Sequence, residues 1–173
     1  MFSSKRAWIQ VLWECVYFRG NPLALPASVG LLVVLLLGYS GLSALQAWLL
    51  PLKQWSLVAA AAAIDTGFTL LFFGFFVAVR APKQWLVTMV GIIGLGVIYS
   101  VPQIAITTLR LDTTPLASLP AILALALLIA SGLALARVLS LCAGFKRGFA
   151  LVMVLTYFLA DDRLVNALTG VGG

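Results

Sequence analysis

The sequence predicts an all-α protein, a polytopic transmembrane helix bundle of about five spans that follows an N-terminal amphipathic interfacial helix. Of its 173 residues, 63% are apolar and only 9% are charged, whereas soluble domains are about half apolar and a quarter charged. The apolar residues also fall into runs of about 20, which is the length that crosses a bilayer as a helix. So few charges cannot cover a water-facing surface, and we therefore expect lipid to cover most of it.

Residues 3–19 are predicted to form the amphipathic helix. Arg6, Gln10 and Glu14 recur every four residues and share one stripe, while the opposite face is broadly apolar. Such a helix can lie in the membrane interface or pack on the cytoplasmic end of the bundle, and the two arrangements are compatible. The residues predicted to anchor this segment at the interface are Lys5, Arg6, Trp8, Trp13 and Arg19.

The predicted bundle covers residues 27–170, and its spans are 27–50, 56–79, 84–109, 116–141 and 149–168. The last span is conditional, because its apolar run from Phe149 to Ala160 has only 12 residues. To cross the bilayer it must carry Asp161, Asp162 and Arg163 in its outer half. Otherwise it ends as a partial insertion, and the chain has four spans.

The basic residues predict the orientation. With the N-terminus in the cytoplasm, eight of the 11 Lys and Arg residues fall on the inner side, as the positive-inside rule requires. Five spans then place the C-terminus outside, and four would leave it inside. We expect a bacterial inner-membrane protein whose net charge of +6 follows from this bias, with no nucleic-acid partner and with anionic lipid at the cytoplasmic face.

The sequence offers little for catalysis. It contains no histidine and only two cysteines, Cys15 and Cys142, which are far apart in the chain. Phosphate-binding loops, dinucleotide fingerprints and zinc motifs are also missing from it. We therefore predict a protein that is not an enzyme and that uses no cofactor and no metal.

Asp65 is the most informative residue in the sequence. It lies within the second predicted span, about nine residues or 13 Å from the outer end at helical rise. A carboxyl group near mid-membrane is costly unless it is neutral, paired or hydrated. It is either a proton or cation site or a hydrogen-bonded group that locks helix packing. A hydrated cavity shared with Asp161 would favour the first, and an arginine or another helix's polar group in contact with Asp65 would favour the second.

Further polar residues extend this candidate intramembrane site. Asp161 and Asp162 either line an outward-facing cavity together with Asp65 or form an ordinary solvated helix end. Tyr99 and Gln103 flank Pro102 in the third predicted span. They either line a cavity or accompany a simple proline kink.

The layout resembles the Yip family of membrane proteins in its bacterial, five-span form. Ala7-Trp8-Ile9 before the first span is similar to the entry of that family, as is the small-residue-rich fourth span from Pro120 through Leu133, which leads to a basic turn and on to Ala150. The long cytoplasmic domain of the eukaryotic members has no counterpart here, so GTPase binding is not expected. The resemblance implies membrane organisation or transport rather than catalysis.

Two functions follow as hypotheses. The first is a non-enzymatic organising or accessory subunit of a membrane complex, acting through helix packing with a membrane-protein partner or a second copy of the chain. The second is a small proton- or cation-coupled transporter or channel that uses Asp65 with Asp161 or Asp162. An enzyme of lipid or quinone chemistry is the least favoured class, because no acid–base pair can be named.

Overall fold

The computed structural model describes residues 8–49, 54–108 and 118–169. Within these residues all regular structure is helical, so the predicted all-α class is confirmed. Short 3₁₀ turns cover Pro22–Ala24 and Pro82–Gln84. The α-helices are α1 (Trp8–Val16), α2 (Val29–Leu49), α3 (Trp55–Arg80), α4 (Trp85–Thr108), α5 (Leu119–Cys142) and α6 (Arg147–Thr169).

Four of the described helices, α2 to α5, are long and apolar enough to cross a membrane. This agrees with an integral membrane protein and with the first four predicted spans, although the predicted ends at 50, 109 and 116 lie outside the described residues. The predicted fifth span corresponds to α6, which has 23 residues but is not among the four. Its outer half contains the three charged residues noted above, Asp161, Asp162 and Arg163.

The five long helices pack as a ring in the order α2, α3, α6, α5, α4 and back to α2. Small residues let neighbouring helices approach closely, as where Gly132 of α5 faces Phe158 of α6. One half of the ring is filled by side chains with no solvent exposure. These include Phe73, Val77, Met89, Leu139 and Val154.

Helix α1 ends earlier than the predicted residue 19. The backbone of Phe18 has a φ of +58°, which leaves the right-handed helical region. The amides of Arg19 and Gly20 both donate to the carbonyl of Glu14 at 2.9 Å. These bonds satisfy the last turn of the helix and redirect the chain, so Arg19 lies beyond the helix and is exposed.

Helix α1 packs against α4 and α5. Its buried side chains are Val11, Leu12 and Cys15. Leu12 lies directly on α4 at Gly94, where an added Cβ would be only 2.7 Å from the Leu12 Cδ1 atom. Glycine at position 94 is therefore what allows α1 to approach α4 so closely.

The predicted interface anchors divide into three groups. Trp8 is half-buried, Trp13 and Arg19 are exposed, and Lys5 and Arg6 lie outside the described residues. Packing on the bundle, one of the two predicted arrangements, is what the described residues adopt. Insertion of the exposed face into the membrane interface stays a prediction.

Replacement of Gly94 by alanine should loosen α1 from the bundle. The new methyl group overlaps Leu12, and overpacking of this kind costs about 1–3 kcal/mol. Burial keeps the Cys15 thiol unreactive and raises its pKa, so each opening of α1 increases its labelling. In a Cys142→Ala background, Gly94→Ala should speed maleimide labelling of Cys15 about fivefold or more.

The matched control is Gly67→Ala in α3, where an added Cβ meets no atom within 4 Å. It should leave the labelling rate of Cys15 unchanged. Equal rates in the two variants would contradict the close packing of Leu12 on Gly94.

Candidate functional site

A partly enclosed cavity of about 830 Å³ lies between the five long helices. Its walls come from the C-terminal halves of α2 and α6 and from residues 61–73 of α3, 92–103 of α4 and 124–135 of α5, so it extends from one end of the ring to its middle. The five residues predicted from sequence as a candidate intramembrane site all line it. They are Asp65, Tyr99, Gln103, Asp161 and Asp162.

Hydroxyl groups from two other helices hold the Asp65 carboxyl. From α2, Tyr39 donates to Oδ1 at 2.8 Å, and Ser43 donates to Oδ2. From α6, the Tyr157 hydroxyl lies 3.4 Å from Oδ1. The sequence spacing explains the α2 pair, because residues four apart share one face of a helix.

Tyr157 connects Asp65 to a second polar contact and to the apolar core. Its hydroxyl lies 2.6 Å from Thr69 Oγ1, and Thr69 donates to the Asp65 backbone carbonyl at 2.8 Å. Its ring lies 4.8 Å, centroid to centroid, from the ring of Phe73. These contacts tie α6 to α3 through a polar network and an aromatic pair.

Glycine at position 96 positions the Tyr39 hydroxyl. An added Cβ there would come within 2.9 Å of the Tyr39 ring, so only glycine lets the ring lie flat against α4. The ring then extends from α2 across α4 to reach Asp65 on α3. Helices α2, α3 and α4 thus all contribute to the geometry of one carboxyl group.

The two carboxyl groups of α6 differ in their surroundings. The Oδ1 atom of Asp161 is buried and has no hydrogen-bond partner within the described part of the chain. Asp162 is exposed and also lines the cavity, whereas neighbouring Arg163 does not line it. A buried carboxyl oxygen without a partner is costly, which makes it a place where a bound cation or water would be stabilised.

The described lining contains three carboxyl groups and no lysine or arginine. Its other polar groups are the side chains of Ser43, Gln46, Thr69, Ser100, Gln103 and Ser131, with the tyrosines. The electrostatic field inside such a cavity favours positive charge, because low-dielectric walls weaken screening. The arrangement can therefore bind a cation or exchange protons.

The cavity has an apolar floor. Phe73, Ile92 and Leu135 line it and are themselves buried. Beyond them, towards the α3–α4 and α5–α6 turns, Met89 and Leu139 have no solvent exposure. A solute in the cavity would therefore have to move packed side chains to pass to the other half of the ring.

Tyr99 and Gln103 lie on the face of α4 that lines the cavity, one turn apart. The Tyr99 hydroxyl donates to the Ala130 carbonyl of α5 at 3.4 Å, and Gln103 is half-buried. Pro102 lies inside the continuous helix α4. Both side chains line the cavity, and their role there stays a prediction.

Sequence reasoning missed Tyr39, Ser43, Thr69 and Tyr157. Their signal was present, because hydroxyl side chains inside long apolar runs need partners. The spacing of these residues in the sequence does not indicate which helices are neighbours. The site depends on the contact between α3 and α6, which that spacing therefore could not predict.

Comparison of the chain with protein-family models, with curated proteins and with solved structures finds no match. The resemblance to the Yip family therefore stays a prediction. The site has to be interpreted from its own geometry.

Replacement of Ser43 by alanine should destabilise the bundle. It removes a donor to Asp65, and buried hydrogen bonds in membrane bundles contribute about 1 kcal/mol. Thermal unfolding in mild detergent should show a lower midpoint than wild type. Thr107→Ala is the control, because Thr107 is exposed and its hydroxyl donates to the Ile104 carbonyl of its own helix, with no partner on another helix among the described residues. An equal effect of both changes would refute the role given to Ser43.

Proposed function

We propose that this chain is a small proton- or cation-coupled membrane transporter that binds its solute in the cavity between the five long helices. The observation that carries the proposal is the lining, which contains Asp65, Asp161 and Asp162 without any basic side chain among the described residues. A scaffold needs no cavity of about 830 Å³, since packed interiors contain few voids larger than a water molecule.

A purely structural role for Asp65 accounts for only part of the geometry. Its bonds to Tyr39 and Ser43 do tie α2 to α3, as a packing lock would. The same carboxyl also lines the cavity together with Asp161, and a packing lock does not require that. Hydroxyl donors can stabilise a carboxylate while leaving its charge uncompensated, so Asp65 remains able to attract a proton or another cation.

The contacts of α6 support a fifth span. Ala150 near its start is fully buried, and Val165 near its end packs against Ala47 and Val58 at the far ends of α2 and α3. Its 23 residues measure about 34 Å at helical rise, which exceeds the hydrocarbon thickness of about 30 Å. Asp161 and Asp162 then line the cavity, and this is how the span accommodates its charges.

In the proposed cycle protons and the solute compete for the same carboxyl groups. Asp65 and Asp161 release protons when a cation enters and take them up when it leaves. Movement of the apolar floor at Phe73 and Leu135 would expose the site to the other side of the membrane. An uncompensated carboxylate is costly in the interior, so each carboxyl group is stable only when it holds a proton or a cation. Movement of the solute is thereby coupled to movement of protons.

The other predictions stay as they were made from sequence. They are an organising or accessory role with a membrane-protein partner or a second copy, an N-terminal helix that lies in the membrane interface, a location in the bacterial inner membrane, and contact with anionic lipid. For the lipid, Arg80, Lys83 and Lys146 lie at the turns that join α3 to α4 and α5 to α6, where lipid headgroups would meet them.

The five-span topology predicts opposite sides for the two termini. A C-terminal alkaline phosphatase fusion in a bacterial host should be active, and a C-terminal green fluorescent protein fusion should be dark. N-terminal tags should be protected in intact cells. The reverse pattern for the C-terminal fusions would mean that α6 does not cross.

The transport proposal predicts flux that depends on Asp65. Wild-type protein in liposomes should dissipate an imposed pH gradient when cationic solutes are added to the trans side, as followed with a luminal pH dye. Asp65→Asn should reduce that flux to the level of empty liposomes, because it removes the exchangeable charge at the same size.

The matched control is Glu14→Gln, the same carboxyl-to-amide change on α1 and away from the cavity lining. It should retain at least half of the wild-type flux. If wild-type protein moves neither protons nor cations, or if Asp65→Asn transports as well as wild type, the transport proposal is wrong.

A further inference from the structure

We infer that the solute is an organic monocation with an aromatic or aliphatic body, such as a quaternary ammonium compound, rather than an inorganic ion. The inference rests on the proposed function, since it names the substrate class of the same cavity. Three observations support it: the apolar and aromatic walls, the lack of a metal-binding cluster among the described residues, and the cavity volume.

Aromatic side chains enclose the cavity on several sides. Tyr39, Tyr99 and Tyr157 line it together with Phe73 and Phe158. The negatively charged face of an aromatic ring attracts a weakly hydrated cation within about 6 Å, and quaternary ammonium groups are recognised in this way. Sodium and magnesium gain little from such walls, because their strongly bound water must first be removed.

The described carboxyl groups of the cavity do not form a metal-binding cluster. Asp65 belongs to α3, and Asp161 belongs to α6. Among the described residues, no three acidic, histidine or cysteine side chains form a group that could hold a metal ion. Inorganic divalent cations prefer six or more oxygen ligands at short distance, so the described lining suits a single positive centre on a larger body better than a bare divalent ion.

The cavity is also the right size for a larger molecule. Its volume of about 830 Å³ lies within the range of about 300–1,000 Å³ that is typical of sites for drug-sized ligands. Aliphatic side chains complete the walls, among them Ile92, Leu95 and Leu128. They would contact the apolar body of a ligand, while the buried Asp161 Oδ1 atom, which lacks a described partner, would face its charge.

The test compares benzyltrimethylammonium with neopentylbenzene, a neutral molecule of the same shape. Binding to purified full-length protein in a maltoside detergent is measured by isothermal titration calorimetry, with sodium and magnesium chloride as competitors. We expect the cation to bind at least tenfold more tightly than the neutral isostere and to be displaced only weakly by either salt.

Variants identify the groups responsible. Asp161→Asn should weaken binding of benzyltrimethylammonium at least tenfold, while Glu14→Gln should leave it unchanged. Tyr99→Leu should weaken it about threefold or more, and Tyr99→Phe, which retains the ring, should not. Size-exclusion profiles and thermal unfolding identify variants that fail to fold, and Asp161 and Tyr99 give independent readouts in case Asp65→Asn is among them.

The outcomes separate this inference from the proposed function. Asp65-dependent proton or sodium flux without binding of benzyltrimethylammonium would overturn the substrate class and leave transport standing. Equal binding of the neutral isostere would overturn it as well, because the cavity would then be a charge-insensitive apolar site. Charge-selective binding without flux of any solute would support the ligand class and contradict transport.

Discussion

The carboxyl group of Asp65 needs partners inside the bundle, because a bare polar group in an apolar interior costs several kcal/mol. Tyr39 and Ser43 supply them from α2, and Tyr157 supplies a further hydroxyl from α6. Helices on both sides of α3 are thereby held at fixed rotation and depth. The ring order of the bundle and the position of the cavity both depend on satisfying this one group.

Satisfying Asp65 with hydroxyls instead of a basic side chain has a consequence for chemistry. An arginine partner would have neutralised the carboxylate and filled the space around it. Hydroxyl donors stabilise the carboxyl group in place and leave the adjoining cavity without positive charge. In the proposed function, the same residues that make the fold specific would also create the cation site, and stability and binding would not be separate properties.

The sequence predicted the helices well, because span length and apolar content are local properties. The helix bounds differ from the predicted span ends by at most three residues where both are described. It also selected five of the polar residues that line the cavity, namely Asp65, Tyr99, Gln103, Asp161 and Asp162, but not Gln46, since a polar group within an apolar run is conspicuous. It did not identify Tyr39, Ser43 or Tyr157 as partners of Asp65, because the rotation of α2 against α3 is set by tertiary packing. The pairing of α3 with α6 likewise depends on packing between segments about 90 residues apart. The early end of α1 at Val16 was missed for a different reason, since a single left-handed residue, Phe18, leaves no mark on the apolar pattern.

Helix α6 shows how composition and packing can disagree about a membrane span. Three charged residues in its outer half lower its apolar content below that of the other four long helices. A hydropathy average along the chain also gives every residue the same weight, whether it faces lipid or the interior of the bundle. Two of those charges, Asp161 and Asp162, instead line the cavity, while Phe149, Val152 and Leu155 are exposed apolar side chains outside its lining, where lipid could contact them. The cost of burying a charge depends on what surrounds it, so a helix that faces a polar cavity can cross a membrane with a composition that would exclude a helix surrounded by lipid.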